Sequence, residues 1–476
     1  MRKNKYMKRI VSAVLLASVT LSLSSCGIVK EQKASSTGKV RVLEPMEIEE
    51  VATYSLDAIG GSDVMPIAGY FAPYTPSYSY NGNQQPDQIT DEVFKRLAEC
   101  GINFFTLSNA NYTANKDQII KALELGEKYG IAVLVEDRRL TQENLPIEMV
   151  DAYINEYANY SSFGGIYIVD EPGTSYFRNR PGVNIDDFVH VAQYANELDV
   201  FGYHNLFPTM RGNEEAYEQY IQEFVDKFNP KYVQYDIYPF NSGLGQDVQM
   251  LFSNISSVYK IVSKANIPAW AFIQAGGQFN DARDFLTTNQ YSPTKGEFFW
   301  DIGTRLAFGA KGIHYFPVIQ PYWFGYASEE PFDFQRSGLL GAWGNTTRWY
   351  YYAQEINQQI AAVDHVLMNA QHKGVIAVGN SAKSEIGADN SALMKEESWR
   401  ELEKAYGDAI IGCFNYKGKT ALYVVNQDRE YAQEVTLDLI DTFEFTVIQD
   451  AVEKKMTADS IKLTFSAGNS ALIVFE

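Results

Sequence analysis

Between Met65 and Val318 the chain alternates two hydrophobic periods. Short runs that are apolar at successive positions, such as Ile131 to Val135 and Ile166 to Val169, suit strands covered on both faces, as in a parallel sheet. Between them, apolar residues recur every three or four positions, the spacing of a helix with one buried face. The pattern predicts strands over 66–74, 102–107, 131–135, 164–170, 200–206, 232–238, 268–274 and 313–318. It predicts helices over 87–99, 116–129, 146–160, 185–198, 213–228, 246–264 and 295–308, with a last long helix over 343–365. The helix over 213–228 opens on Glu214 and Glu215 and ends near Lys227, a polarity that complements the helix dipole. From Gly374 the pattern changes to short β-rich segments, at 374–379, 409–416, 421–426, 434–439, 443–447, 460–465 and 470–475, separated by turn residues.

Eight strand–helix units are what a closed barrel needs, and the short strands that follow suit a small antiparallel sandwich. The fold expected is α/β: a (β/α)8 TIM barrel over 61–370 followed by a C-terminal β-sandwich over 374–476. The sandwich carries few clustered acids, so the chemistry is expected in the barrel.

The N-terminus speaks to location. Arg2, Lys3, Lys5, Lys8 and Arg9 form a basic head, and Ile10 to Leu23 is an apolar stretch short for a bilayer span. Leu23-Ser24-Ser25-Cys26-Gly27 follows. This resembles a bacterial lipoprotein signal peptide, in which the Cys becomes the lipidated first residue; the resemblance implies lipidation of Cys26, an extracytoplasmic location and a membrane contact through the lipid anchor. Residues 27–60, Ser-rich and without periodicity near their start, are expected to be a tether.

Composition narrows the partners. The formal net charge is -19, and removing the five basic residues of the signal takes it to -24. An acidic surface argues against nucleic acid and other anionic partners. The chain has 32 Tyr, 28 Phe and 6 Trp; aromatic faces can stack on sugar rings, although most of these side chains are expected in the core. Cys100 and Cys413 fall in different predicted domains, which suggests two buried thiols rather than a disulfide framework or a zinc site. No metal-ligand spacing, nucleotide-binding Gly-rich loop or Gly-x-Ser-x-Gly elbow occurs, so no cofactor is expected.

Candidate chemistry collects at the predicted strand ends, where barrels of this kind build their sites. Strand three ends in Glu136-Asp137, strand four in Asp170-Glu171-Pro172-Gly173, and strand five in His204-Asn205. Strand six reads Tyr235-Asp236-Ile237-Tyr238, strand seven ends in Gln274, and strand eight leads through His314 and Tyr315 to Gln320, Tyr322 and Trp323. Side chains alternate along a strand, so Asp170 and Glu171 are expected to face different ways, one meeting a ligand and the other bracing the site. A carboxylate pair in an aromatic-rimmed cleft suits glycosidic cleavage: one carboxylic acid protonates the leaving oxygen, and the other carboxylate attacks the anomeric carbon or activates water. Asn205 suits a sugar hydroxyl, because an amide both donates and accepts. Asp170, Tyr238, Gln274, Tyr315, Trp323 and Glu136 complete the expected binding surface. His204 reads more readily as a hydrogen-bonded core residue.

The stretch over 65–370 resembles the (β/α)8 glycoside hydrolases of the large retaining clan that includes cellulase-like families and family 42 β-galactosidases. Those carry Asn-Glu-Pro or a close variant at the end of strand four, where this chain has Asp170-Glu171-Pro172. The resemblance implies that Glu171 is the acid/base. It also implies a nucleophilic Glu at the end of strand seven, where this chain has Gln274. An amide cannot attack as a carboxylate does, so Asp236 is the leading replacement and Glu136 comes after it. Barrel glycosidases acting on α-galactosides and α-glucosides use acids after strands four and six, and on that pattern the two roles are exchanged. The expectation is a surface-anchored glycoside hydrolase. The alternatives are a non-catalytic carbohydrate-binding lipoprotein that kept the barrel and lost the nucleophile, and a structural surface protein with a vestigial cleft.

Overall fold

The computed structural model describes residues 40–476 apart from 55, 71–78, 81–82, 85, 108–115, 138, 141, 143–144, 175–182, 209–211, 242–246, 278–290 and 321–337. Cys26, Tyr322 and Trp323 therefore lie outside the described residues. The barrel strands are β1 (Ile67–Gly69), β2 (Phe104–Leu107), β3 (Ala132–Val135), β4 (Phe163–Asp170), β5 (Gly202–Asn205), β6 (Val233–Tyr235), β7 (Ala269–Gln274) and β8 (Ile313–Phe316). All pair in parallel in the order β5-β4-β3-β2-β1-β8-β7-β6. A parallel bridge between Leu206 and Tyr235 joins the two ends of that order, and the Leu206 N–H donates to the Gln234 carbonyl at 2.9 Å. The sheet is thereby closed into a barrel.

Helices α1 (Asp91–Glu99), α2 (Lys116–Tyr129), α3 (Ile147–Asn155), α4 (Val189–Glu197), α5 (Glu214–Phe228), α6 (Val248–Ala265), α7 (Lys295–Ala307) and α8 (Arg348–Leu367) follow the strands in turn. Their caps come from the sequence: Thr90, Asp247 and Thr347 each accept a backbone N–H at an N-terminus, and Thr294 with Glu297 forms a capping box at α7.

The barrel interior is a stack of rings. Phe104, Phe201, Tyr232 and Trp270 fill its lower part, with Phe201 4.8 Å from Tyr232 and 5.4 Å from Trp270 between ring centres. Above them Phe272 lies flat on His314 at 4.7 Å, and Tyr203 stacks on Tyr167 at 5.0 Å. The tether expectation is corrected from residue 40 onward. The segment straps the C-terminal sheet, where the Arg41 N–H donates to Thr442 and that of Met46 to Gly418. It then caps the barrel floor, with Tyr54 stacked 5.6 Å from Phe201.

The C-terminal module contains β9 (Ala370–Val378), α9 (Gly379–Ile386), β10 (Leu402–Tyr406), β11 (Ala409–Tyr416), β12 (Lys419–Asn426), β13 (Gln433–Gln449), β14 (Val452–Phe465) and β15 (Ser470–Phe475). The pairing is antiparallel in the order β9-β11-β12-β15-β13-β10, with β14 also on β13. The first half of β13 pairs with β10, the second half with β15, and the register breaks between Asp438 and Phe443. The long hairpin β13–β14 thus runs through both layers of a sandwich around a core that includes Ile411, Val424, Leu437 and Phe445. Helix α7 joins the two modules: between Gly296 and Ala307 only Glu297 escapes burial. Contact is close because Gly412 has no side chain; a Cβ there would sit 2.3 Å from the Ala307 carbonyl oxygen.

Candidate active site

Strand β4 aims its end by two backbone devices. Gly165 has φ +129°, and a Cβ there would lie 2.2 Å from the Phe201 carbonyl oxygen, so only glycine lets β4 and β5 run this close. At the other end Glu171 has φ +48°, an uncommon value for a residue with a side chain. Its N–H still donates to the Asn205 carbonyl at 2.9 Å. The turn beyond is tied down by Tyr220 of α5, whose hydroxyl donates to the Pro172 carbonyl at 3.0 Å and accepts the Phe207 N–H at 3.3 Å.

Glu171 is left-handed where the strand ends, and the charges of Glu171 and then Asp170 both favour the protonated form of Asp236. Asp170 is held by neighbours from either side: the Asn205 amide donates to its Oδ1 at 3.2 Å, and the Tyr70 hydroxyl to its Oδ2 at 3.4 Å. Asp236 is 8% exposed, and its Oδ1 is buried without a hydrogen-bond partner among the described residues. Burial first, then the charges of Glu171 and Asp170, push its carboxyl well above the usual range; the Asn205 amide offsets this in part. Tyr238 belongs to the same group, since burial and the charges of Asp236, Glu171 and Asp170 all hold its hydroxyl protonated. Glu136 is buried at the end of β3, and its charge reaches Tyr167, which also feels Asp170.

The structure therefore brings together Asp170, Glu171, Asn205, Asp236 and Tyr238, with Glu136 alongside. Two of the expected residues stand apart. Gln274 is 1% exposed, and its amide is fully used by backbone: it donates to the carbonyls of Phe240, Gly276 and Tyr291 and accepts the Phe240 N–H at 3.0 Å. It stitches the turn after β6 to that after β7. Tyr315 points away from the barrel axis, donating to Asn357 Oδ1 of α8 at 2.6 Å and stacking on Phe298 of α7.

Asp137 is occupied as well. Burial raises its proton affinity, but Arg139 and Tyr157 outweigh that and hold it ionised. His204 is a core residue whose ring nitrogens face the carbonyls of Gly202 and Tyr232, and burial lowers it to about 4. His314, between Thr106 and Gln234 inside the barrel, is lowered to about 3.

Sequence reading missed two contributors. Tyr70, just past β1, touches the cluster through Asp170 and T-stacks on Phe272 at 5.6 Å. The second is the ion pair Asp301–Arg305 on α7, with both side chains at 0% exposure. Arg305 donates to the Tyr235 hydroxyl at 3.3 Å and to the Ile237 carbonyl at 3.1 Å, on either side of Asp236. Its signal was present: an acid and a base four residues apart in the helix, among Phe298, Phe299, Trp300, Ile302 and Leu306.

The fold and site define a (β/α)8 barrel with a C-terminal β-sandwich and a carboxylate cluster at the C-terminal ends of β4 and β6. No family model and no curated protein matches the chain. Among solved structures it is similar to a β-galactosidase from the Antarctic haloarchaeon Halorubrum lacusprofundi, at 12% identity and TM-score 0.41 over 62% of this chain and 58% of that one. It is also similar to an Anoxybacillus α-amylase, at 10% identity and TM-score 0.48 over 87% and 98% of the two chains. A third is a GH27 β-L-arabinopyranosidase from Geobacillus stearothermophilus, at 9% identity and TM-score 0.44 over 89% and 98%. The chain spans less than two thirds of the β-galactosidase. The likenesses are distant, and the architecture stands on strand order and closure.

Proposed function

We propose that this protein is a glycoside hydrolase that cleaves O-glycosidic bonds of an oligosaccharide or glycoside outside the cell. The feature that carries the reading is the buried Asp236, whose carboxyl is pushed well above its usual range by burial and then by the charges of Glu171 and Asp170. Glycosidic cleavage needs one carboxyl that keeps its proton near neutral pH and one that does not. Asp236 fits the first role. Glu171, half-buried at the tip of β4, fits the second, as nucleophile or as the base for water. This exchanges the roles that the strand-four motif implied. Asp170, fixed by Asn205 and Tyr70, maintains the charge that keeps Asp236 protonated. Asn205 and Tyr238 contact the sugar. The pair is self-sufficient, so Gln274 at the end of β7 does not disable the site.

The anchor belongs to the same reading: Cys26 carries lipid and holds the barrel on a membrane's outer face. Cys26→Ala should release the protein from the membrane fraction, and a Cys26→Ala variant that still sediments with membranes after signal cleavage would refute the anchor.

The activity is tested by a screen of chromogenic glycosides of both anomers. Turnover by the parent that disappears in Glu171→Gln supports the proposal, and Asp236→Asn should abolish turnover only of glycosides whose leaving oxygen needs a proton. Sugar binding without turnover on any glycoside would make the barrel a carbohydrate-binding protein, the reading that the loss of a strand-seven carboxylate favours.

A further inference from the structure

A second cavity lies at the opposite end of the barrel. It has a volume of about 120 Å³, between α6, α7, the lower end of β7, the start of β9 and the strap residues Val51 and Ala52. Ala269 and Ala271 on β7, with Gly309 and Ala310 after α7, are among its small lining residues. Ile255, Val258, Val262 and Phe308 supply apolar walls, and the exposed Ser263 and Asn266 stand at its edge. A space of this order accommodates one aromatic ring or a short alkyl chain.

Two buried cations line it, and they are unequal. Arg305 has its carboxylate, Asp301, at 3.0 Å. Lys311 is 3% exposed and donates to two backbone carbonyls, those of Leu367 and Ala370. Among the described residues no carboxylate pairs with it, and burial lowers its ammonium to about 7. Burial disfavours the charged form, and an anion that enters the adjoining space would favour it.

We propose that this cavity is a binding site for a small apolar monocarboxylate, its ring or short chain between β7 and α6 and its carboxylate paired with Lys311. The strap, barrel and sandwich all contribute walls, so an occupant fastens three parts of the chain together. The site lies at the N-terminal ends of the strands, whereas the carboxylate cluster lies at their C-terminal ends, and the two are tested separately.

The probes are benzoate and its neutral counterpart benzyl alcohol, titrated into the full chain and followed by calorimetry and by melting temperature. Benzoate should bind at least tenfold more tightly than benzyl alcohol and raise the melting temperature with concentration. Lys311→Met should remove the preference for benzoate. Ala271→Leu, which fills the cavity and leaves the lysine, should abolish binding of both. Asp236→Asn should leave benzoate binding unchanged. Equal binding of the two probes, no binding by the unmodified chain, or full binding by Ala271→Leu would overturn the proposal, and loss of binding in Asp236→Asn would move the ligand to the barrel mouth.

Discussion

The Arg305 guanidinium donates to the Ile237 carbonyl oxygen at 3.1 Å, one residue past Asp236. It also reaches the Tyr235 hydroxyl, one residue before it. A fully buried cation on α7 thus holds the strand end that carries the proposed acid.

Removing either member of that pair leaves the other charge buried and unmatched. Arg305→Met should cost about 3–5 kcal/mol of stability by urea denaturation. The double variant Asp301→Leu/Arg305→Met should recover most of that loss, because two apolar side chains replace two desolvated charges. Its activity should nevertheless stay low, with the loss in kcat rather than KM, since Ile237 has lost its anchor. Full activity in the double variant would show that the ion pair does nothing for Asp236.

Asp236 makes a prediction of opposite sign. Its folded proton affinity is raised, by burial and then by Glu171 and Asp170. Its contribution to stability is therefore fully present below the ordinary aspartate range and is lost as pH rises through the folded value. Asp236→Asn removes the ionisation. It should be more stable than the parent at pH 8, by a few degrees of melting temperature, and nearly equal to it at pH 4. Equal melting curves at both values would mean that Asp236 is ionised in the fold at little cost.

Much of this was legible in the chain. All eight barrel strands and their helices fall where period and turn residues put them, because strands buried on both faces leave continuous apolar runs. The same property hides which way a side chain points. Nothing in Ile313-His314-Tyr315 says that His314 enters the barrel and Tyr315 leaves it, so Tyr315 was read into the site. Gln274 was misread because its backbone partners lie in turns 34 residues upstream and 17 downstream. The left-handed conformation of Glu171 is likewise something no hydrophobic pattern encodes. In the sandwich, β10 was invisible because it is a short strand at the end of the order, with Glu403, Lys404 and Tyr406 exposed.

The two modules should not separate cleanly. Ile410, Phe414, Tyr423 and Val425 of the sheet share one core with Trp300 and Leu306 of α7. A chain ending at residue 368 would expose that face of α7 and aggregate. Gly412→Val, whose side chain meets the Ala307 carbonyl, should destabilise the whole protein in one transition by several kcal/mol. A soluble, cooperatively melting truncation would show that the barrel is independent of the sandwich.

The proposed exchange of roles is tested by leaving groups. If Asp236 is the acid, Asp236→Asn should lose roughly a hundredfold to ten-thousandfold on glycosides whose leaving oxygen needs a proton. It should lose much less on activated aryl glycosides, whose leaving groups depart as anions. Glu171→Gln should lose activity on both kinds, because attack on the anomeric carbon, direct or through water, is needed whatever leaves. The amide is nearly the size of the acid, so folding should survive each change, and circular dichroism serves as the control. The opposite split, with Glu171→Gln sparing activated substrates, would return the acid role to Glu171 as the strand-four motif implied. Equal and modest losses in both variants would mean that neither residue performs the chemistry and that the cluster only binds.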